Sequence, residues 1–344
     1  MGRNKASRKP LARRIVTMSV CAVPMGLVGA CGTTTAATAG ASKTATVAGT
    51  STATGAATSS AGSPSASPTP TVINLTGGTG LTISNGTGSV LMNGSKVWFG
   101  GVVKDLAWTP DGKKAVFIDE NGDLAVSNPD GSGRFVLARN PGGESWSHPT
   151  WTRATVQYPL PDALDDVYFT SVKGGVSTLL YVPAGTPGGT PQTLRLAAPG
   201  GSLTQVPQTG NSWPNTAGTY GTSVFQNTSG TTAEVYLRDD NLRQSDYKVT
   251  PGAEPALSPD WKTIVFTRSV NGHQHLFSRQ LQTPNPSDQD LTPHATADYT
   301  APVWSPDGKT IAFATPTGID TINADGSGSP TVVSNSVGVP AYRP

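Results

Sequence analysis

Carboxylates that lie side by side are the first residues in this sequence that could carry chemistry. Asp165-Asp166 and Asp239-Asp240 are adjacent pairs. Glycoside hydrolysis uses two carboxyl groups that converge on one bond from opposite sides of a pocket. Residues adjacent in sequence do not converge in that way, so both pairs are interpreted as solvated turns.

The histidines are the second set, because imidazoles bind metals. His273 and His275 are two residues apart, so on a strand they share one face. A zinc site needs at least one further protein ligand, and none of matching position accompanies them. His148 and His294 lie near the starts of predicted strands and could line a pocket. The sequence predicts no metal site and no cofactor.

A covalent mechanism would need an activated nucleophile. The sequence contains no Gly-x-Ser-x-Gly elbow and no phosphate-binding loop. We therefore expect a protein that is not an enzyme.

Three further aspartates belong to a hairpin that recurs along the chain. The unit at 302–313 is Pro-Val-Trp-Ser-Pro-Asp-Gly-Lys-Thr-Ile-Ala-Phe, and copies of it occupy 106–117 and 256–266. Serine, proline, aspartate and glycine suit successive turn positions, and the flanking apolar runs are typical of buried strands. The turn aspartates are expected to cap their own turns: Asp111, Asp260 and Asp307.

The repeat extends beyond the hairpin. Asn128–Gly133 and Asn323–Gly328 have matching sequences and lie about 20 residues after their turns. Self-similarity at roughly 40 residues, with strands dominating each period, predicts a propeller of four-stranded blades. In the third hairpin Trp261 replaces the glycine, which predicts a locally different turn, because a bulky residue is strained at positive φ.

The repeated unit resembles the blade repeat of TolB-like β-propellers. The likeness is closest over 302–328, good over 106–133 and moderate over 255–281. It implies an all-β, six-bladed propeller with four-stranded antiparallel blades, which residues 72–344 are long enough to form. The motif is specific for the fold and nearly silent on function.

The resemblance also implies where a ligand would bind. In this family the strand before each Pro-Asp-Gly turn lines the central channel, and the segments ahead of those strands surround one mouth. These segments differ between blades here, and variable loops on a rigid scaffold usually carry function. We expect Trp146 and Tyr299 to be partly exposed, the alternative being that both pack under loops. The binding candidates are Lys104, Asp105, Glu144, Trp146, His148, Glu254, Asp298 and Tyr299.

The two ends of the propeller sequence predict how the ring closes. Residues 340–344 align with 302–306, so Tyr342 takes the position of Trp304 and Trp108. The N-terminal strand-like runs lack this hairpin: 72–75, 81–84, 90–92 and 96–99. We expect the C-terminal strand to complete a blade with N-terminal strands, which removes exposed edges. The second and third blades depend on apolar pattern alone. In the second, the third strand is predicted at 179–182, and a further strand-like run at 194–196 follows an insertion at 183–191.

The first 30 residues have the features of an export signal. Six basic side chains and no acid precede an apolar stretch from Ile15 to Ala30. Val28-Gly29-Ala30-Cys31 resembles the lipobox of bacterial lipoproteins, which implies that Cys31 is lipidated and anchors the protein outside the cytoplasm. The alternatives are ordinary cleavage near Cys31 or an uncleaved anchor. Arg13-Arg14 leaves twin-arginine export open beside the general secretory route.

The mature chain would then begin with a tether. Residues 31–71 are almost entirely Ala, Thr, Ser, Gly and Pro with no hydrophobic period, which predicts disorder and possible sites of O-glycosylation. Of 24 basic and 22 acidic residues, loss of the six basic ones of the signal leaves 18 against 22, a net charge of −4. A mildly acidic protein has no electrostatic basis for binding nucleic acid. The only cysteines, Cys21 and Cys31, leave the propeller without a disulfide.

These features favour a membrane-anchored, monomeric propeller head that binds a protein or an envelope polymer without turnover. One alternative is a propeller hydrolase or lactonase that acts on cell-envelope carbohydrate. Another is an accessory subunit of a membrane sensor or transporter.

Overall fold

A computed structural model describes residues 71–154, 163–197, 206–217, 221–239 and 245–344. The predicted signal (1–30), Cys31 and the predicted tether up to residue 70 lie outside the described residues. Within the described part of the chain no helix is long and apolar enough to cross a membrane.

The described residues form six four-stranded antiparallel sheets, as the sequence predicts. Blade one holds β4 (Lys104–Trp108), β5 (Ala115–Ile118), β6 (Leu124–Ser127) and β7 (Phe135–Ala138), and blade two holds β8 (Glu144–Ala154), β9 (Leu164–Lys173), β10 (Val176–Pro183) and β11 (Gln192–Thr193). Blade three holds β12 (Asn211–Thr216), β13 (Thr222–Asn227), β14 (Glu234–Asp239) and β15 (Ser245–Pro251), and blade four holds β16 (Ala253–Leu257), β17 (Thr263–Val270), β18 (His273–Gln280) and β19 (Asp288–Asp290). Blade five holds β20 (Thr300–Trp304), β21 (Thr310–Thr315), β22 (Gly318–Asn323) and β23 (Thr331–Ser334), and blade six holds β24 (Val339–Tyr342), β1 (Leu81–Ser84), β2 (Ser89–Met92) and β3 (Ser95–Trp98).

The repeated turn joins the first two strands of a blade through side-chain hydrogen bonds. In blade five, Ser305 Oγ donates to Asp307 Oδ1 at 2.7 Å, and the Gly308 N–H donates to the Ser305 carbonyl at 2.9 Å. The hydrogen bond from Ser305 holds the pKa of Asp307 below its usual value. Matching bonds fix Asp111 and Asp260. The turn aspartates are therefore explained by their own turns.

The turn of blade four corrects one expectation. Trp261 adopts φ 54°, and its N–H donates to the Ser258 carbonyl at 2.8 Å, as Gly308 does in blade five. The turn keeps its form, and the tryptophan takes up the strained conformation that glycine would adopt without strain.

One phenylalanine from the second strand of each of five blades lies in the core. All five are buried: Phe117, Phe169, Phe225, Phe266 and Phe313. Two of them belong to the blades that only the apolar pattern had predicted. In blade two the last strand is Gln192–Thr193, so the strand predicted at 194–196 is displaced toward the N-terminus.

The ring closes where the sequence predicts, because β24 pairs antiparallel with β1. Leu81 lies opposite Tyr342 and Ser84 opposite Val339. The N–H of Arg343 donates to the Gly80 carbonyl at 2.8 Å and continues the pairing by one step. Tyr342 is half-buried against the apolar cluster of blades five and six, and burial raises the pKa of its phenol to about 12.

The strand predicted at 72–75 does not form. Only Asn74 makes a bridge, with Ser334 of β23, and the Leu75 N–H donates to the Val333 carbonyl at 2.9 Å. The chain therefore reaches β1 along the outer edge of blade five.

Candidate binding site in the central channel

The first strand of every blade lines one cavity on the axis of the ring. Its volume is about 380 Å³, within the usual range for ligand sites. The walls are short or apolar side chains, one from each first strand: Ala107, Thr150, Asn215, Ala256, Val303 and Ala341. The two ends of the cavity are well separated. Asp105 lies at one end of the first strand of blade one and Pro110 follows its other end, five residues or about 15 Å further along.

A β-bulge interrupts the first strand at the same position in five blades, and each bulge contains a residue in the left-handed region. These residues, which we call the bulge mouth, are Asp105, His148, Trp213, Glu254 and Ala301, with φ between 49° and 57°. The pairing register shifts at each of them. Left-handed backbone costs an L-residue about 1–2 kcal/mol, and bulges redirect side chains at functional sites.

The backbone N–H groups of four bulge residues donate hydrogen bonds to side chains of the preceding blade. The His148 N–H donates to Asp105 Oδ2 at 3.1 Å, and the Ala301 N–H donates to Glu254 Oε2 at 2.7 Å. The N–H of Trp213 bonds Thr170 Oγ1, and the N–H of Glu254 bonds Gln226 Oε1. Asp105 and Glu254 therefore have a structural role, since each satisfies an amide of the next blade.

Two aromatic rings lie together at the bulge mouth. The imidazole of His148 stacks on the indole of Trp213, with centroids 3.7 Å apart. Trp213 belongs to blade three yet packs against the apolar cluster of blades five and six, which contains Ala301 and Leu81. The indole therefore extends across the channel. Burial lowers the pKa of His148, and the charge of Asp105 offsets this only in part.

The opposite end, which we call the turn mouth, is surrounded by prolines from four blades: Pro110, Pro259, Pro306 and Pro344. Between the two mouths, three buried indoles and one phenol contribute to the wall: Trp108, Trp151, Trp304 and Tyr342. The indole N–H of Trp304 bonds the Ala256 carbonyl of the preceding blade at 3.1 Å, so the indole also joins two blades.

The charge of the site is negative. No lysine or arginine is among the described residues that line the cavity. Within the described chain the only ion-pair partner of Asp105 is His148, whose Nδ1 lies 4.0 Å from Oδ2. Burial raises the pKa of Glu254, and the hydrogen bond from the Ala301 N–H counteracts it.

The structure separates the predicted binding residues into two groups. Asp105 and His148 line the cavity. Glu254 belongs to the bulge mouth but does not line the cavity, and neither do the other five: Lys104, Glu144, Trp146, Asp298 and Tyr299. Lys104 is exposed, and Glu144 accepts a hydrogen bond from Ser171.

The expectation of a partly exposed Trp146 is wrong. Its side chain is 6% exposed and packs on Phe169, with centroids 4.8 Å apart. Tyr299 is partly exposed as expected, but its ring packs on Phe313 at 4.7 Å. Asp298 accepts the Gln274 N–H at 2.9 Å.

Sequence reasoning missed the role of Trp213, although a signal for it exists. A residue followed by proline occupies the bulge in four blades: His148-Pro149, Trp213-Pro214, Glu254-Pro255 and Ala301-Pro302. Aligning on this dipeptide instead of on the turn would have placed Trp213 in the ring.

The pairs considered first have separate roles. His275 is buried beside Asp290, with Nδ1 at 2.9 Å from Oδ2, whereas His273 is partly exposed and its Nδ1 lies 3.7 Å from Asp298 Oδ1. No group of three metal-binding side chains occurs among the described residues. Asp165 is not in a solvated turn, because it lies in β9 and accepts the indole N–H of Trp151 at 2.7 Å.

Fold and site define the class of this protein as a six-bladed β-propeller with a lined central cavity. Among solved structures it is similar to a protein described as a TolB from Agrobacterium tumefaciens, at 17% identity over 75% of this chain and 89% of that one, with a TM-score of 0.54. It is also similar to TolB from Acinetobacter baumannii, at 17% identity over 77% of this chain and 66% of that one, with a TM-score of 0.51. These likenesses show a TolB-like propeller fold. No protein-family model and no curated protein matches the sequence.

Proposed function

We propose that this chain is a non-catalytic binding module whose ligand enters the central cavity. The single observation that carries the proposal is the cavity itself, which all six first strands line and which is mostly apolar with a few polar side chains, among them Asp105 and His148 at the bulge mouth. Binding sites have this composition, because apolar walls supply affinity and a few polar groups fix orientation.

The turn mouth supports a protein or polymer partner. Three of its four prolines, Pro110, Pro259 and Pro306, lie in turns where the proline ring fixes φ, so this part of the mouth loses little conformational entropy when a partner covers it. Three of the four are exposed, and a partner that covered them would remove apolar surface from water.

The N-terminal sequence supports a location at the outer face of the cytoplasmic membrane. If Cys31 is lipidated, the 40 residues that follow would hold the propeller at an r.m.s. distance of about 35 Å from the anchor. A partner in the membrane or the cell envelope would then be within reach of the channel. The same arrangement would suit an accessory subunit of a membrane sensor or transporter.

A blocked cavity tests the proposal. Ala107 lines the channel, and Ala107→Trp should fill it, whereas Thr331→Trp places the same side chain on the exposed outer strand of blade five. Proteins crosslinked in intact cells to the wild type and to Thr331→Trp, but not to Ala107→Trp, would support a channel ligand. Equal recovery by all three folded proteins would overturn it. Turnover of glycan or lactone substrates by the purified head would overturn the non-catalytic part.

A further inference from the structure

We propose that the group which this channel binds is an ammonium ion on an apolar stem, held at the bulge mouth by Asp105, His148 and Trp213. The inference rests on the proposed function, because it names the chemistry of the ligand for the same cavity. It follows from the charge of the site, from the three groups that face the ligand and from the apolar path that leads to them.

Among the described residues, no lysine or arginine forms an ion pair with the carboxylate of Asp105. Its side chain is 21% exposed, and of the described residues only His148 lies within ion-pair distance. Lys104, the nearest cation in sequence, is exposed and makes no ion pair with it among the described residues. Partly buried carboxylates are normally paired or strongly hydrogen-bonded, so a charge of this kind at a cavity wall is what a cationic ligand would neutralise.

A second acid increases the negative potential of the same mouth. Glu254 belongs to blade four, three blades away from Asp105, so the two carboxyl groups lie on opposite sides of a six-bladed ring. No lysine or arginine of the described chain forms an ion pair with Glu254. The guanidinium of Arg343 lies toward the turn mouth, where it covers the Trp108 ring at 5.4 Å and donates to the Gly112 carbonyl.

The three groups suit an ammonium ion in complementary ways. Asp105 supplies a carboxylate, and charge-assisted hydrogen bonds to a carboxylate are stronger than neutral ones. Burial lowers the pKa of His148, so at neutral pH the imidazole is uncharged and can accept a hydrogen bond. Trp213 supplies the aromatic ring that attracts cations best. Most of the remaining wall is apolar, which favours a hydrocarbon stem.

The same features disfavour other ligands. An anion would meet the carboxylate of Asp105 without a lysine or arginine among the lining residues that are described. A sugar would need several polar groups for its hydroxyls, whereas Thr150 and Thr216 already bond each other at 3.1 Å and Asn215 Oδ1 already accepts the Leu257 N–H. An ammonium ion could come from a lysine side chain of a protein partner or from a small amine.

Binding of matched probes to the purified propeller tests the proposal. The probes are hexylamine, hexyltrimethylammonium, hexanol, hexanoate and a blocked Ala-Lys-Ala peptide, compared by isothermal titration calorimetry at pH 7. At least one ammonium probe should bind about tenfold more tightly than hexanol and hexanoate, in line with a charge-assisted contact. Tight binding of the lysine peptide would indicate a protein source, and tight binding of hexylamine without the peptide would indicate a small amine. Tight binding of hexyltrimethylammonium alone, which has no N–H to donate, would indicate a quaternary ammonium group held by charge and ring contacts only.

Substitution of the carboxylate provides the second test. Asp105→Asn keeps an oxygen acceptor for the His148 N–H and tolerates the left-handed conformation, but removes the charge. It should weaken ammonium binding about tenfold and leave hexanol binding unchanged. Asp307→Asn, in an exposed turn, should leave both unchanged. If Asp105→Asn does not fold, Glu254→Gln should still weaken ammonium binding, because it removes the second charge of the mouth.

Three outcomes would overturn the inference. These are equal or tighter binding of hexanol or hexanoate, full ammonium affinity in folded Asp105→Asn, and no binding of any probe. In each case loss of the crosslinked partner in Ala107→Trp would still support a channel ligand of different chemistry. If Ala107→Trp still crosslinks to the partner, the proposed function itself would be contradicted.

Discussion

His148 and Trp213, from neighbouring blades, stack at 3.7 Å while both have left-handed backbone, at φ 50° and 57°. A bulky side chain at positive φ is strained, and such strain is found where the surrounding structure enforces it. Here each N–H is held by a side chain, from Asp105 and Thr170. The bulges therefore bring together two rings that a regular strand would separate.

The stability of the propeller should decrease in acid because of His148. Burial lowers the pKa of its imidazole below 6.5, so the unfolded chain binds a proton at a higher pH than the folded one. The contribution of the neutral His148 side chain to the free energy of unfolding is fully present above about pH 6.5, and it is lost as the pH falls through the folded-state pKa. Thermal unfolding between pH 5 and 8 should show this loss in the wild type.

Two variants isolate the effect. His148→Gln should flatten the dependence between pH 5 and 6.5, whereas the exposed His294→Gln should leave it unchanged. An NMR titration in which the His148 signals shift with a midpoint at or above pH 6.5 would contradict the prediction.

Much of the fold was predictable because the repeat combines turn chemistry with strand chemistry. Ser305, Pro306, Asp307 and Gly308 specify a turn, and Phe313 marks the buried strand after it, so local sequence and fold agree. Closure was predictable for the same reason, since Tyr342 occupies a position that Trp304 defines.

The site was less predictable because it depends on relations between blades. Asp105 and His148 were found from their position ahead of a strand, but Trp213 crosses the ring to other blades, which no local pattern encodes. The local sequence around Trp146 does not distinguish it from an aromatic residue on an exposed loop, yet the core between blades one and two covers its side chain.

Membrane association should depend on Cys31. If it carries the lipid, Cys31→Ala should move the protein out of the membrane fraction or leave it as the uncleaved precursor. Cys21→Ala is the matched control, because that cysteine lies within the predicted signal and should not alter fractionation. A correctly cleaved Cys31→Ala protein that stays in the membrane fraction would show that the anchor is elsewhere.

Removal of β24 should destabilise the ring sharply. Deleting 339–344 frees the edge of β1 and removes the half-buried Tyr342. Loss of a core aromatic costs up to about 3–5 kcal/mol, and about 1 kcal/mol corresponds to roughly 2–4 °C in a domain of 150–250 residues. The melting temperature should therefore fall by roughly 6–20 °C, and amide exchange at 81–84 should accelerate. Val337→Ala, at an exposed position just before β24, should change neither, and an unchanged melt of the deletion would place closure elsewhere.

Glu254→Gln should stabilise the folded chain at neutral pH. Burial raises the pKa of this carboxyl above 4.5, so the folded state binds the proton more tightly than the unfolded state does. The ionised form of Glu254 therefore lowers the free energy of unfolding. This loss is absent below about pH 4.5 and grows as the pH rises through the folded-state pKa. Glutamine removes the charge and keeps an oxygen acceptor for the Ala301 N–H, which bonds Glu254 Oε2 at 2.7 Å in the wild type. The melting temperature of Glu254→Gln should exceed that of the wild type at pH 7, and the difference should disappear near pH 4.

Glu120→Gln is the opposite control for this prediction. Hydrogen bonds from its own backbone N–H and from Arg134 lower the pKa of Glu120, so removing that charge should not stabilise the chain. A Glu254→Gln protein that melts below the wild type at pH 7 would mean that the charge of Glu254 stabilises the bulge mouth.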